Sequence, residues 1–311
     1  MALDPKFRAL LALPGMQLGR PPVEVTPAMM REGVKAMASP LPPPPVHEVK
    51  NISIKGPTGA IAVRLYYPTS VRPLPVTVFA HGGGWVLCDL DSHDNLCRTL
   101  ALASGSVIAA VDYRLAPEAK FPGPLEDCYA ALTQLVAQAS SLGLDASRVA
   151  VCGDSAGANL AAALVLLARE RKGPAICFQA LMWPVTDASC TSASYTSLGE
   201  GYMLSRDIML WFWECYLASP QDASNPLAAP LREKNLAGLP PASISTCEYD
   251  VLRDEGEAYA DALREAGVNV TSRRYLGMIH GFVSFPQVTE VAARALADLG
   301  SDLAVALYAP T

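Results

Sequence analysis

Histidine is scarce in this chain, with four in 311 residues: His47, His81, His93 and His280. Any chemistry that needs an imidazole must draw on these. A basic surplus is absent as well. Against 30 Asp and Glu stand 24 Lys and Arg, a formal charge of −6 with no polybasic run. Nucleic-acid partners usually require a basic face, so no nucleic acid is expected. Long apolar runs are missing too. The most apolar stretch, Ala156–Ala168, carries Asn159 and falls well short of the ~20 residues that span a bilayer, so no stable membrane insertion is expected. At the N-terminus Asp4, Lys6 and Arg8 leave Ala9–Leu13 too short for the apolar core of a signal peptide. The eight cysteines (88, 97, 128, 152, 177, 190, 215, 247) occur singly, with no C-x-x-C pair. That spacing excludes a common zinc site and a disulfide framework, and fits reduced thiols in a cytoplasmic protein.

What is present is apolar patterning. Hydrophobic residues make up 51% and charged ones 17%, enough to build a large core. Residues 1–38 read as helical patches broken by Pro14-Gly15 and Pro21-Pro22, followed by the extended proline run SPLPPPP at 39–45. HEVKNISIKG and AIAVRLYYP alternate apolar and polar positions about a Gly56–Gly59 turn, which predicts an antiparallel pair at a sheet edge. The next strands are continuously apolar, at 75–80, 106–113, 148–153, 176–183 and 242–249, as expected where helices cover both faces. Helices are predicted near 92–104, 123–141, 156–172, 252–266 and 286–308, with a last strand at VNVTSRRYL. The fold class is α/β, a mostly parallel central sheet covered on both faces. The rhythm lapses between Pro184 and Pro226 into loop and an aromatic helix, RDIMLWFWECYL. Residues 1–45 and about 185–225 are therefore expected to form a helical cap on a core of 46–184 and 226–311, within one domain.

GDSAG at 153–157 joins the apolar strand RVAVC to a helix, the context in which Ser155 becomes a nucleophile on a strained turn. A plain small-residue turn is the alternative, and only partners decide. His47 starts an edge strand and reads as surface. His93 opens a helix and reads as solvated surface. His81 opens HGGGW and is expected to brace that loop. His280, in MIHGF after the last strand, sits where the base falls in the order Ser…Asp…His. Asp250 ends a strand 30 residues earlier and is the expected orienting acid. Its rivals are Glu248, inside the strand, and Asp254, in the following helix, where Asp254 and Glu255 complement the dipole. The glycines at 82–84 can turn backbone N–H groups toward a developing oxyanion, as can the N–H of Ala156 at a helix start. No G-K-[ST] or helix-opening G-x-G-x-x-G supports a phosphate loop.

HGGGW (81–85), YRLAPE (113–118), GDSAG (153–157), DVLRDEG (250–256) and HGF (280–282) occur here in one order. Together they resemble the hormone-sensitive lipase family of α/β-hydrolases, especially its bacterial esterases, over roughly residues 46–311. Val251 departs from the proline that many relatives carry after the aspartate. The resemblance implies a triad of Ser155, Asp250 and His280 and an oxyanion hole from Gly83, Gly84 and Ala156. It implies a supporting network from Tyr113, Arg114 and Glu118, no metal or organic cofactor, and a homodimer through the last strand and a neighbouring helix. The expected substrate is a small ester, of short to medium acyl chain, cut through an acyl-enzyme. An amidase or deacetylase with the same triad is the alternative. A non-catalytic receptor would lack the catalytic histidine that His280 supplies. Trp85, Met29, Met30, Met203, Leu204 and Trp211 are candidates for the substrate pocket.

Overall fold

The computed structural model describes residues 2–36 and 41–309. Part of the expected proline spacer, Ser39 and Pro40, falls outside them. Among the described residues eight strands form one sheet: β1 (Glu48–Lys55), β2 (Ala60–Tyr67), β3 (Leu74–Ala80), β4 (Val107–Val111), β5 (Leu144–Asp154), β6 (Phe178–Met182), β7 (Ala242–Tyr249) and β8 (Val270–Ile279). Their order is β1-β2-β4-β3-β5-β6-β7-β8. β1 pairs antiparallel with β2, and β2 antiparallel with β4. From β4 onward every pairing is parallel. The predicted edge hairpin is β1–β2.

Among the described residues ten α-helices accompany the sheet: α1 (Pro5–Leu11), α2 (Pro27–Ala36), α3 (Asp94–Ser104), α4 (Gly123–Ala137), α5 (Ala139–Leu142), α6 (Ala156–Glu170), α7 (Ala193–Ser197), α8 (Arg206–Tyr216), α9 (Arg253–Glu265) and α10 (Val291–Tyr308). The helix expected over 123–141 is divided at Gln138 into α4 and α5. Strand alternation sends successive side chains to opposite faces and so divides the core in two. Val76, Val78, Val149 and Val151 join α4, α6 and α9 on one face. Phe79, Ala150 and Cys152 join α3, α10 and Phe7 of α1 on the other. α6 is buried from Ala156 to Ala168, which explains its near-unbroken apolar sequence. At about 1.5–3 kcal/mol for each fully buried Leu or Val, Leu160, Leu164, Val165, Leu166 and Leu167 fix this helix firmly beneath β5.

The parallel register delivers the site. Ala80 pairs with Gly153, and Asp154 with Met182, so the chains leaving β3 and β5 emerge side by side. A bulge between Cys247 and Tyr249 brings Tyr249 opposite Ile279, which places the next residues, Asp250 and His280, as neighbours. The N-terminal segment meets the 185–225 excursion directly. Leu18 N–H donates to the Met203 carbonyl at 2.7 Å, Ser205 N–H donates to the Leu18 carbonyl at 3.2 Å, and Arg20 pairs with Glu214 of α8.

Candidate active site

Ser155 occupies φ 53°, ψ −120°, a left-handed conformation that costs an L-residue strain, at the corner where β5 turns into α6. Its neighbours make the corner tight. A Cβ on Gly153 would collide with the Gly157 carbonyl, and one on Gly157 with the Ala80 carbonyl. Only glycine fits either place. Ser155 N–H donates to the Met182 carbonyl at 2.9 Å, and Asn159 Nδ2 donates to the carbonyls of Val185 (2.9 Å) and Ala228 (2.8 Å). Strain at the corner is thus held by hydrogen bonds around it.

His280 joins Ser155 to Asp250. Its Nδ1 donates to Asp250 Oδ2 at 2.8 Å, and Ser155 Oγ lies 3.1 Å from its Nε2. An ionised carboxylate only accepts, so Nδ1 carries the proton and Nε2 is left to accept from the serine hydroxyl. Asp250 is buried and its other oxygen accepts the Leu252 N–H at 3.0 Å. Trp183 closes the ring's side, edge-on at 6.2 Å. Neither rival acid takes this place. Asp254 pairs with Arg253 and accepts the Ser194 N–H at 2.7 Å, while Glu248 accepts from Gly277 N–H at 2.6 Å. Glu255 stands in the first turn of α9 beside Asp254, the helix-start position expected of it. It is buried and accepts the N–H groups of Thr186 (2.6 Å) and Asp187 (3.2 Å), and burial pushes its carboxyl up to about 8.

The glycine loop after β3 bends beside Ser155. Gly83 and Gly84 have φ 103° and 61°, open to glycine, and a Cβ on Gly84 would enter the Phe212 ring. Among the described residues no protein acceptor takes the Gly83 or Gly84 N–H. Behind the loop Tyr113 Oη donates to the His81 carbonyl at 2.7 Å, and its ring stacks on the His81 imidazole. Arg114 pairs with buried Asp127, and Glu118 with Arg31 of α2. Arg31 also donates to the Val86 and Ala116 carbonyls, at 2.7 and 2.8 Å.

A cavity of about 650 Å³ opens over Ser155 and His280. Gly83 and Gly84 form part of its wall, Leu18 and Val34 come from the N-terminal segment, and Leu204 and Phe212 from the excursion. Of the residues expected in the pocket, Leu204 lines it. Trp85 does not: its left-handed backbone turns the ring inward, where it is fully buried and stacked on Tyr216 at 4.3 Å. Trp211 packs on the flank of α8 against the core and Met203 against the second core, so neither forms the wall. Met29 is 57% exposed on α2, and Met30 packs on the first core. Phe212 was legible only in register: Ile208, Phe212 and Tyr216 recur at helical spacing on the inner face of α8, one residue past Trp211. His47 lies exposed, as expected, but His93 corrects its reading as surface. It is largely buried, lines the cavity, and sits 3.2 Å from Asp154. Among the described residues no cluster is placed to hold a metal ion, and no helix is long and apolar enough to cross a membrane.

A doubly covered, mostly parallel sheet with a serine, histidine and aspartate aligned at its C-terminal edge defines an α/β-hydrolase. A family model described as alpha/beta hydrolase fold matches residues 77–284. Carboxylesterase NlhH of Mycobacterium tuberculosis is 40% identical over 299 residues, 94% of this chain and 92% of that protein. Carboxylic ester hydrolase LipN of the same organism is 42% identical over 266 residues, 83% of this chain and 70% of that protein. Among solved structures, a hyperthermophilic esterase from the archaeon Pyrobaculum calidifontis superposes with a TM-score of 0.91 at 39% identity, covering 98% of each chain. A thermostable esterase from Pseudomonas putida gives 0.92 at 38% identity, covering 99% of each. The chain belongs to the hormone-sensitive lipase family of α/β-hydrolases.

Proposed function

We infer that the chain is a carboxylesterase that cleaves short- to medium-chain acyl esters through a serine-bound acyl intermediate. The observation that carries this is the line from Asp250 through His280 to Ser155 Oγ, which ends in a cavity walled by two glycines with free N–H groups. In this reading Ser155 Oγ attacks the ester carbonyl carbon while His280 Nε2 takes its proton. The tetrahedral oxyanion is received by the N–H groups of Gly83, Gly84 and Ala156. As the carbonyl re-forms, the C–O bond to the alcohol breaks and His280 returns the proton to the leaving oxygen. Water, deprotonated by His280, then attacks the acyl-serine, releasing the acid and restoring the hydroxyl. Asp250 keeps the imidazole in the required tautomer and balances its charge. Residues 1–45 and 185–225 act as the cap, with Leu18, Val34, Leu204 and Phe212 around the substrate.

The test is hydrolysis of p-nitrophenyl esters of two to sixteen carbons, with one anilide. Activity greatest at short to medium chains, lost by about four to six orders of magnitude in Ser155→Ala with native circular dichroism, is the expected result. Near-wild-type activity in Ser155→Ala would overturn the mechanism, and preference for the anilide would make the enzyme an amidase.

A further inference from the structure

Asp154, next to the nucleophile, is a buried carboxylate that the ester mechanism does not use. Its Oδ1 accepts the Gly82 N–H at 2.9 Å, which ties the glycine loop to the end of β5. The same oxygen lies 3.2 Å from His93 Nε2, and Oδ2 lies 3.4 Å from it. On the far side of the ring, His93 Nδ1 is 3.0 Å from Ser92 Oγ. That hydroxyl already donates its only proton to the Asp89 carbonyl at 2.8 Å and accepts the Asp89 N–H at 2.9 Å. Only a lone pair remains for His93, so Nδ1 must donate. Nε2 faces a carboxylate and must donate as well. Both ring nitrogens carrying protons means an imidazolium.

We propose, on the carboxylesterase reading above, that His93 is a positioning residue whose positive charge neutralises Asp154 and keeps that carboxylate fastened to the Gly82 N–H, so that Gly83 and Gly84 hold their places at the oxyanion. The surroundings agree. Burial opposes the charge on His93, but attraction and hydrogen bonding from Asp154, with Asp89 beyond, hold it above the usual histidine value. Burial likewise opposes the charge on Asp154, yet His93 holds it below the usual aspartate value. His81 packs 5.5 Å from the His93 ring. Burial and the neighbouring His93 charge push His81 down to about 4, so it stays neutral and its Nδ1 donates to the Gly82 carbonyl. Arg64, across the cavity wall, is committed to Asp91 and Asp94 and leaves Asp154 to His93. When His93 loses its proton, a buried negative charge is left beside Ser155, where the transition state develops another.

His93→Gln keeps a neutral donor for Asp154 but nothing that titrates. On p-nitrophenyl butyrate its kcat should fall at least fivefold while KM stays within twofold. The descending alkaline limb of the wild-type kcat profile should vanish or move. A kcat within fivefold of wild type, a change confined to KM, or an unmoved alkaline limb would each overturn the proposal. Nitrogen NMR of the wild-type imidazoles gives a second test independent of folding in the variant. Both ring nitrogens of His93 should be protonated at pH 7, and a neutral ring there would overturn it. Absence of ester hydrolysis in the wild type would instead defeat the carboxylesterase reading and leave the NMR result standing.

Discussion

Asp250 and Asp254 are four residues apart, and the difference between them is what each carboxylate faces. Asp250 is buried against His280 Nδ1, while Asp254 is spent on Arg253 and the Ser194 N–H. Asp250→Asn can no longer hold the tautomer, and kcat should drop by about 10⁴, as such amides do. Asp254→Asn keeps most of its bonds and should stay within threefold; steady-state rates on one aryl ester decide, and the reverse order would reassign the acid. Gly83→Ala acts on the other side of the same chemistry. Its Cβ would run into the Leu87 carbonyl from a backbone at φ 103°, so the loop must move. Displacing one oxyanion donor should cost about 10²–10³ in kcat with little change in KM. At this scale the candidate site was readable because few residues could play each part: four histidines, one elbow, one glycine run. His93 escaped because its pairing with Asp154 joins positions 61 residues apart, and nothing local to Asp91-Ser-His-Asp signals a buried carboxylate.

The strands of the core were legible because burial on both faces leaves unbroken apolar runs, and β3 to β7 fall within or beside the expected ranges. Helix ends were less so. Nothing in 123–141 announces the division at Gln138, which closes α4 and opens the short α5 that ends at left-handed Gly143. The excursion between β6 and β7 was recognisable as an interruption, but its working face was not. Trp211 and Phe212 are adjacent aromatics, and only the packing of α8 sends Phe212 to the cavity and Trp211 to the flank. Phe212→Leu tests that assignment. A smaller side chain beside Gly84 should shift the kcat/KM maximum toward longer acyl chains, whereas Trp211→Leu should leave the chain-length profile unchanged and lower only the melting temperature. An identical profile in both variants would remove α8 from the acyl pocket.

At the scale of the whole molecule, a buried carboxyl outside the catalytic line links stability to pH. Glu255 fastens the start of the excursion, at Thr186 and Asp187, to α9, which begins just after Asp250. It thereby couples the substrate wall to the loop that carries the acid. Burial is the main cause of its shift from 4.5 to about 8, and the two backbone N–H groups only partly offset this. The sign follows from proton binding. Between pH 4.5 and 8 the folded protein holds a proton on Glu255 that the unfolded chain has released. This contribution favours the fold fully below pH 4.5 and is lost as pH rises to about 8. Glu255→Gln keeps an acceptor for both N–H groups but cannot ionise. Melting temperature measured from pH 5 to 9 should therefore decline with pH in the wild type more than in Glu255→Gln, the gap narrowing or reversing toward the alkaline end. Parallel curves for the two proteins would show that Glu255 is already ionised throughout, and that its backbone bonds outweigh its burial.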